Sequence, residues 1–316
     1  MLPSSLSRVL ARAPLLCLLG CASVTPQAPT DSGAGGNDTA APRDAPTTAD
    51  VPDALSFDFS GTERPPPAPG KVYAHSDSTL WLLEPISKAV TMVGAFDCVG
   101  TTVNSMVDIA IDRAGKMTGC AAISFQGALG GALVSIDPTN ARCTVLTRGP
   151  NLVTSLTYVP EGTLVANAEA LVGYADDRYV RVDPATGAVT DIGLLNNAAS
   201  GGTHWISSGD VVAIKGGGTY LTVKNESGNS GGRGDRIVEV DPKTGGLLRI
   251  IGATGMDDVL GLGYWGGIAY GFTLAGALIQ IDLQTGAGTP IPIPGAPSDL
   301  AFYGAGTTTV APIIVE

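Results

Sequence analysis

Several aspartates with the potential for chemistry lie at the starts of apolar segments. They are Asp108, Asp210, Asp257, Asp258 and Asp299. If these segments are neighbouring strands, the carboxylates converge at one mouth, where they would bind Ca²⁺ or act as acid and base on a glycoside. The alternative is that each carboxylate accepts hydrogen bonds from nearby backbone amides. No catalytic spacing motif accompanies the aspartates, and we therefore favour this structural alternative.

A second candidate group combines His204 and Trp205, which we assign to a long loop at residues 194–209. An indole beside a titratable imidazole is suited to stacking on a ligand. The alternative is that Trp205 packs its loop against the protein. Asp176 lies in another predicted loop, residues 170–178, and joins the candidate ligand-binding set. The other histidine, His75, follows an apolar segment and is expected at the surface, and two histidines are too few for a multi-histidine metal centre.

The elements that position these residues are revealed by a repeated stretch, YVRVDPATGAVTDIG at residues 179–193. Apolar and polar residues alternate on both sides of Asp-Pro-Ala-Thr-Gly, which predicts two strands joined by a tight turn. Related stretches begin at Leu80, Leu133, Ile237 and Leu278, so the turn acids recur about every 40–60 residues. One hairpin cannot bury a face alone, and this spacing is typical of four-stranded propeller blades.

Two further apolar segments precede most of the hairpins and supply the remaining strands. They are residues 107–111 and 117–123, 152–159 and 163–167, 211–214 and 220–223, and 259–264 and 268–272. We name the strands of each blade A to D from the channel outward. The first blade lacks strand A, and residues 298–303 (SDLAFY) are predicted to complete it. The sequence thus predicts an all-β protein, a five-bladed β-propeller over residues 71–316, with six blades as the alternative if residues 307–315 form more than a closing strand.

In such a ring the B–C and D–A connections lie on one face, and the A–B and C–D turns on the other. The C–D turns here are uniformly short. The predicted insertions all fall among the B–C and D–A connections, at residues 95–104, 124–130, 170–178, 194–209 and 225–236. We call these two sides the long-loop face and the short-loop face. Because binding usually resides on long loops carried by a rigid scaffold, we place the candidate site on the long-loop face.

The N-terminal segment is typical of an export signal, with Arg8 and Arg12 before a short apolar core at residues 13–20. It ends Leu-Leu-Gly-Cys, and this stretch resembles the lipobox of bacterial lipoproteins. The resemblance implies cleavage after residue 20, lipidation of Cys21 and attachment to a membrane. Since no aspartate follows Cys21, it also implies the outer membrane of a Gram-negative bacterium.

Residues 21–70 are rich in Ala, Pro, Thr, Asp and Gly, which predicts a disordered tether. Across the chain, 43 glycines and 22 prolines suit a turn-rich β-protein. A formal net charge of −11 argues against nucleic acid as a partner. Of the cysteines beyond Cys21, Cys120 and Cys143 are expected two strands apart. A Cys98–Cys143 bridge would join opposite faces, so no pairing is firmly predicted.

The pattern S-x-L followed by G-x-L and D-P-x-T-G resembles the repeat of secreted bacterial propellers of the YVTN and NHL type. That likeness covers residues 71–303 and implies a fold rather than an active site. We favour a monomeric, non-enzymatic binding or scaffold propeller that recognises a protein or carbohydrate and carries no cofactor. The alternatives are a polysaccharide hydrolase or lyase that uses the channel-mouth carboxylates, and a structural propeller stabilised by Ca²⁺.

Overall fold

A computed structural model describes residues 71–227 and 234–314, which form an all-β ring. Five four-stranded antiparallel sheets are arranged as the blades of a five-bladed β-propeller. The predicted leader at residues 1–20, the predicted tether at 21–70 and Cys21 lie outside the described residues. Within the described part of the chain, no helix has the length and apolar character needed to cross a membrane.

The first three blades are numbered in chain order, with their strands given from the channel outward. Blade I contains β20 (Gly304–Thr307), β1 (Val72–His75), β2 (Thr79–Leu83) and β3 (Val90–Ala95). Blade II contains β4 (Ser105–Ile111), β5 (Met117–Phe125), β6 (Ala128–Ile136) and β7 (Cys143–Gly149). Blade III contains β8 (Ser155–Val159), β9 (Ala170–Ala175), β10 (Arg178–Val182) and β11 (Val189–Leu194).

The last two blades complete the ring. Blade IV contains β12 (Trp205–Ala213), β13 (Thr219–Asn225), β14 (Arg236–Val240) and β15 (Leu247–Ala253). Blade V contains β16 (Val259–Trp265), β17 (Ile268–Thr273), β18 (Leu278–Ile281) and β19 (Gly288–Ile291). The inner strands β20, β4, β8, β12 and β16 each lie against the inner strand of the next blade, and β16 meets β20 to close the circle.

The chain closes its ring with its C-terminal strand, as predicted, but with a different segment from the one predicted. Strand β20 pairs with β1 from Val72↔Thr307 to His75↔Gly304, whereas residues 298–303 form no strand. The reason is steric, since a Cβ on Gly304 would lie 2.4 Å from the Oδ1 atom of Asp108. Only a segment of small residues fits against the channel, so the apolar pattern of the neighbouring segment was misleading.

The repeated hairpin forms as its turn residues dictate. In blade III the Asp183 carboxylate accepts the N–H of Ala185 at 2.8 Å, and Gly187 adopts a φ of 71°. The backbone N–H of Gly187 then donates to the carbonyl oxygen of Asp183 at 2.7 Å. Acids at the same position of the other blades accept equivalent amide hydrogen bonds, and these acids are Glu84, Asp137, Asp241 and Asp282. The repeat therefore encodes the C–D turn of every blade.

The final glycine of the repeat has a separate role, which is contact with the next blade. Strand β11 carries a bulge just before Gly193, and Gly193 lies against the C–D turn of blade IV. A Cβ at this position would be 1.8 Å from the carbonyl oxygen of Thr244. Gly94 and Gly252 lie in the same way against the turns of blades II and V. The repeat thus specifies how one blade packs on its neighbour.

Two of the predicted insertions are wrong. Residues 163–167 form no strand, and β9 (Ala170–Ala175) joins β10 through a two-residue turn. Leu164 and Val165 pack against the core between blades III and IV, so their apolar character reflects a packed loop. Residues 124–130 are likewise the ends of two long strands around a tight turn. Blade III therefore carries its insertion, residues 160–169, on the short-loop face.

The hydrophobic core is divided into five clusters, one at each interface between neighbouring blades. Between blades III and IV, for example, Tyr174 and Tyr179 pack against Val223 and Val238. Each of the two tyrosine hydroxyls also donates to a carbonyl oxygen of the C–D turn of blade IV. Stability therefore comes from contacts between blades, and each blade depends on both neighbours.

A disulfide joins Cys98 to Cys143, with their Cα atoms 5.6 Å apart. From the sequence, these two cysteines were expected on opposite faces of the ring. They meet because the end of β3 reaches the C–D turn of blade II, where Gly94 contacts Asn140. This reach follows from the twist of outer strands. Cys120 is a free, buried thiol, and burial raises its pKa to about 11.

After β20 the chain crosses the short-loop end of the channel. The Thr308 hydroxyl donates to the carbonyl oxygen of Asp112, and the N–H of Lys215 donates to that of Thr309. The N–H of Gly266 donates to the carbonyl oxygen of Pro312. Residues 308–314 form no further blade, so the number of blades is five.

We predict that Gly193→Ala lowers the free energy of unfolding by about 1–3 kcal/mol, because the added methyl group overlaps the carbonyl of Thr244. Gly149→Ala is the matched control, since a Cβ there meets no atom within 4 Å. It should change the unfolding free energy by less than about 0.5 kcal/mol. Denaturant unfolding measures both. Equal effects of the two substitutions would refute the role assigned to the repeated glycine.

Candidate functional site

Two of the predicted site residues, Asp108 and Asp210, meet inside the channel. Each lies beside a bulge in an inner strand, Asp108 in β4 and Asp210 in β12. Their side chains are 1% and 0% exposed. The two carboxyl groups lie close enough for the protonated one to donate a hydrogen bond to the other, so the pair links blades II and IV across the ring.

The same carboxyl groups bind backbone amides of the remaining blades. Asp108 accepts the N–H of Ile109 at 2.8 Å and of Leu156, in blade III, at 2.5 Å. Asp210 accepts the N–H of Leu262, in blade V, at 2.7 Å and of Ala305, in blade I, at 3.2 Å. All five inner strands are therefore tied to one pair of side chains.

Burial raises the pKa of both carboxyl groups well above the ordinary value, and the charge of Asp210 raises that of Asp108 further. Two carboxylates in contact cannot both stay ionised in a buried site, so the pair shares a proton. Because neither side chain reaches solvent, the pair is not accessible to a substrate in this structure. Asp108 and Asp210 thus accept hydrogen bonds from nearby backbone amides, which is the structural alternative favoured from the sequence.

Sequence reasoning missed His75, which was expected at the surface and is fully buried beside this pair. Its Nδ1 atom lies 2.7 Å from the carbonyl oxygen of Ser76 and donates to it, while Nε2 lies 3.9 Å from Oδ1 of Asp108 without a hydrogen-bond partner. Burial lowers the pKa of His75 to about 4, so the imidazole is neutral. The side chain was misjudged because only ring closure by β20 covers the end of β1.

Asp235 is a further buried carboxylate that sequence reasoning did not select. Its Oδ2 atom accepts the N–H of Val259 at 2.8 Å, which joins blade IV to blade V. Burial raises its pKa to about 6, an effect that is opposed by this amide and by the hydroxyl of Ser208. No local pattern marks it, since its burial depends on a loop of the next blade.

An exposed cluster lies on the long-loop face around His204, whose side chain is 49% exposed. Its Nε2 atom lies 3.1 Å from Oδ2 of Asp177 and its Nδ1 atom 3.0 Å from Oε2 of Glu226. The three residues come from three connections, namely the β9–β10 turn and the loops before β12 and after β13. We call this set the His204 cluster. Asp177 and Glu226 were not selected from the sequence, because only the fold brings them to His204.

Trp205 is not in the predicted loop and instead begins strand β12. Its indole is buried, and the guanidinium of Arg236 lies 5.7 Å from the ring centre. The side chain of Asn196 bonds both the N–H and the carbonyl oxygen of Trp205. The structure therefore places Trp205 as the support of the loop that carries His204.

The other predicted carboxylates are not gathered into one site. Asp176 and Asp258 occupy turns with positive φ values of 59° and 53°, and Asp257 is an exposed neighbour. Asp299 lies in the loop before β20. All four side chains are exposed to solvent, in contrast to the buried side chains of Asp108 and Asp210. Among the described residues no group of three or more His, Cys, Asp or Glu side chains is arranged to hold a metal ion, and the Ca²⁺ alternative stays a prediction.

No protein-family model matches the chain, and no curated protein matches its sequence. Among solved structures, the chain is similar to one in a nidogen/laminin complex, with 10% identity and a TM-score of 0.43 over 75% of this chain and 98% of that one. It is also similar to puromycin hydrolase, with 16% identity and a TM-score of 0.35 over 67% of this chain but 32% of that one. A third is BamB from Moraxella catarrhalis, with 12% identity and a TM-score of 0.33 over 71% and 70% of the two chains. Likenesses at this level carry no function to the present chain.

We predict that Asp235→Asn changes how stability depends on pH. The folded-state pKa of Asp235 is raised from 3.8 to about 6, so its contribution is full at low pH and is lost as the pH rises through 6. The difference in unfolding free energy between wild type and variant should therefore fall by about 2 kcal/mol between pH 4 and pH 7.

Denaturant unfolding at several pH values measures this difference. Ser298→Ala, an exposed substitution that adds or removes no ionisable group, is the control and should give a difference that does not vary with pH. A pH-independent difference for Asp235→Asn would contradict the assignment of a protonated, buried carboxyl group.

Proposed function

We propose that this protein is a non-enzymatic binding propeller that recognises a protein or carbohydrate through its long-loop face. The observation that carries the proposal is the His204 cluster, in which exposed His204 and Glu226 and half-buried Asp177 are brought together from three separate connections. The two carboxylates present more acceptor lone pairs than the N–H groups that one imidazole can supply, so the cluster contains more hydrogen-bond acceptors than donors. It is thus ready to accept hydrogen bonds from a ligand.

The setting of the cluster supports this role. The backbone N–H of Glu226 donates to the carbonyl oxygen of His204, and the N–H of Leu195 donates to that of Asp177. The loop at residues 195–204 is further ordered by a short 3₁₀ turn, Ala198–Ser200, capped by Asn197. A rigid scaffold that presents polar side chains in fixed positions lowers the entropic cost of binding.

The hydrolase or lyase alternative rests on carboxylates at the channel mouth. Glycosidases hold their two carboxyl groups roughly 5–9.5 Å apart and open to the sugar. Asp108 and Asp210 instead bond to each other and to the backbone, out of contact with solvent. This geometry favours binding over hydrolysis as the function.

We also propose that Cys21 carries lipid and attaches the propeller to the outer membrane of a Gram-negative bacterium. Support comes from the Leu-Leu-Gly-Cys stretch behind an apolar segment, and from the Pro- and Ala-rich residues between Cys21 and β1. Such a segment would carry the ring clear of the membrane surface.

If the protein has this binding role, it should bind a component of an array of purified envelope glycans and envelope proteins. The full chain should bind at least one component saturably, and the variant Asp177→Asn/His204→Ala/Glu226→Gln should bind it at least about tenfold more weakly. The variant lacks the imidazole and both carboxylate charges, and each new amide has one acceptor oxygen where the carboxylate had two. Surface plasmon resonance measures the affinities.

The control variant is Asp191→Asn/Glu239→Gln, which removes two negative charges from outer strands. It should bind like the wild type. Equal affinities of the cluster variant and the wild type would refute the assignment of the site. Release of reducing ends from a glycan by the wild type, with loss of that activity in Asp108→Asn, would instead establish the hydrolase alternative.

The anchoring proposal predicts that Cys21→Ser moves the protein from the membrane fraction to the soluble fraction of a Gram-negative host. Incorporation of a labelled fatty acid should be lost as well, because the acylated sulfur is absent. Cys17→Ser, within the same segment, should leave both properties unchanged. Fractionation and in-gel detection of the label report the result, and labelling of Cys21→Ser would exclude this residue as the anchor.

A further inference from the structure

A hollow of about 360 Å³ opens on the short-loop face between blades III and IV. It lies on the opposite side of the ring from the His204 cluster. Its walls are the insertion after β8 (residues 160–163), the A–B turn of blade IV (214–217) and the C–D turn of the same blade (242–243). It is formed by part of the insertion at residues 160–169, whereas the sequence had predicted a strand at residues 163–167 and an insertion at 170–178 on the other face.

Two lysines line this hollow, Lys215 and Lys243, and both are exposed. Neither forms an ion pair with any described carboxylate. Of the carboxylates nearby, Glu161 lines the hollow and pairs with Arg113, Glu169 accepts a hydrogen bond from the Thr309 hydroxyl, and Asp241 accepts one from the backbone N–H of Lys243. Lys215 and Lys243 therefore line the hollow without a partner among the described carboxylates, in a chain whose formal net charge is −11.

The backbone of the A–B turn holds Lys215 in place. Its N–H donates to the carbonyl oxygen of Thr309 at 2.8 Å, and the N–H of Gly217 donates to that of Ile214 at 3.0 Å. Gly216 has a φ of 77°, which a residue with a side chain rarely adopts. The absence of side chains at Gly216 and Gly217 also leaves room for a ligand beside the two ammonium groups.

We propose that this hollow is a binding site for a small anion with two or more carboxylate or phosphate groups. Each ammonium group pairs with one negative group of the ligand, and a ligand with a single charge would engage only one lysine. The acidic remainder of the surface repels such a ligand, which confines it to the hollow. The site is independent of the function proposed for the long-loop face.

Isothermal titration of the full chain with citrate and with inorganic pyrophosphate, at low salt, tests the proposal. At least one of the two should bind at a single site, and Lys215→Ala/Lys243→Ala should weaken that binding at least about tenfold. Lys71→Ala/Lys116→Ala removes the same charge from exposed lysines elsewhere and should change the affinity by less than about twofold. Comparison of the two anions distinguishes a carboxylate ligand from a phosphate ligand.

Two results would overturn the proposal. One is the lack of saturable heat with either anion up to about 10 mM, a concentration beyond the range of a specific site. The other is an equal loss of affinity in the two double variants, which would show general electrostatic attraction. Since all four lysines are exposed, thermal unfolding should be unchanged in both variants, and a failure of the His204 cluster to bind ligand would not alter either outcome.

Discussion

The hydrogen-bonded carboxyl groups of Asp108 and Asp210 are the contact on which the ring depends. Between them they accept amides from blades III, V and I, and they themselves belong to blades II and IV. An inner strand at the channel has one paired edge, and the groups on its other edge need partners. Two carboxyl groups with a shared proton supply these partners at the one point where the five strands come together.

Away from the channel, the contacts between neighbouring blades are similar from one interface to the next. Each interface between blades has its own apolar cluster, and the glycine before the end of an outer strand fits the next C–D turn in three of them. Repetition works here because every outer strand meets the same neighbour. The channel cannot repeat in this way, since five copies of one acid would place five charges in contact. Two acids among small and apolar residues are a solution that only the closed ring permits.

This difference explains what could be predicted from the sequence. The hairpins, the number of blades and closure by the C-terminal strand follow from local patterns such as the Asp183 turn, which forms within its own stretch. Asp108 and Asp210 were selected for their position, and the structural alternative favoured for them agrees with their amide contacts. His75, Asp177, Asp235 and Glu226 could not be found, because each is placed by a residue distant in the sequence. The bounds of β20 were missed for the same reason, since Gly304 is required by His75, with which it pairs, and by Asp108 of the neighbouring inner strand.

The aspartates of the exposed turns and those of the buried channel thus differ in their protonation and in the hydrogen bonds that they accept. In the C–D turns, Asp137, Asp183 and Asp282 are exposed, and hydrogen bonds from their own turns lower their pKa values. In the channel, burial raises the pKa values of Asp108 and Asp210 and keeps a proton on the pair. To expose the channel pair to a substrate would remove the bonds that close the ring. The two sites that we propose for recognition, the connections around His204 and the hollow lined by Lys215 and Lys243, use side chains of the described chain that neither the repeat nor the channel specifies.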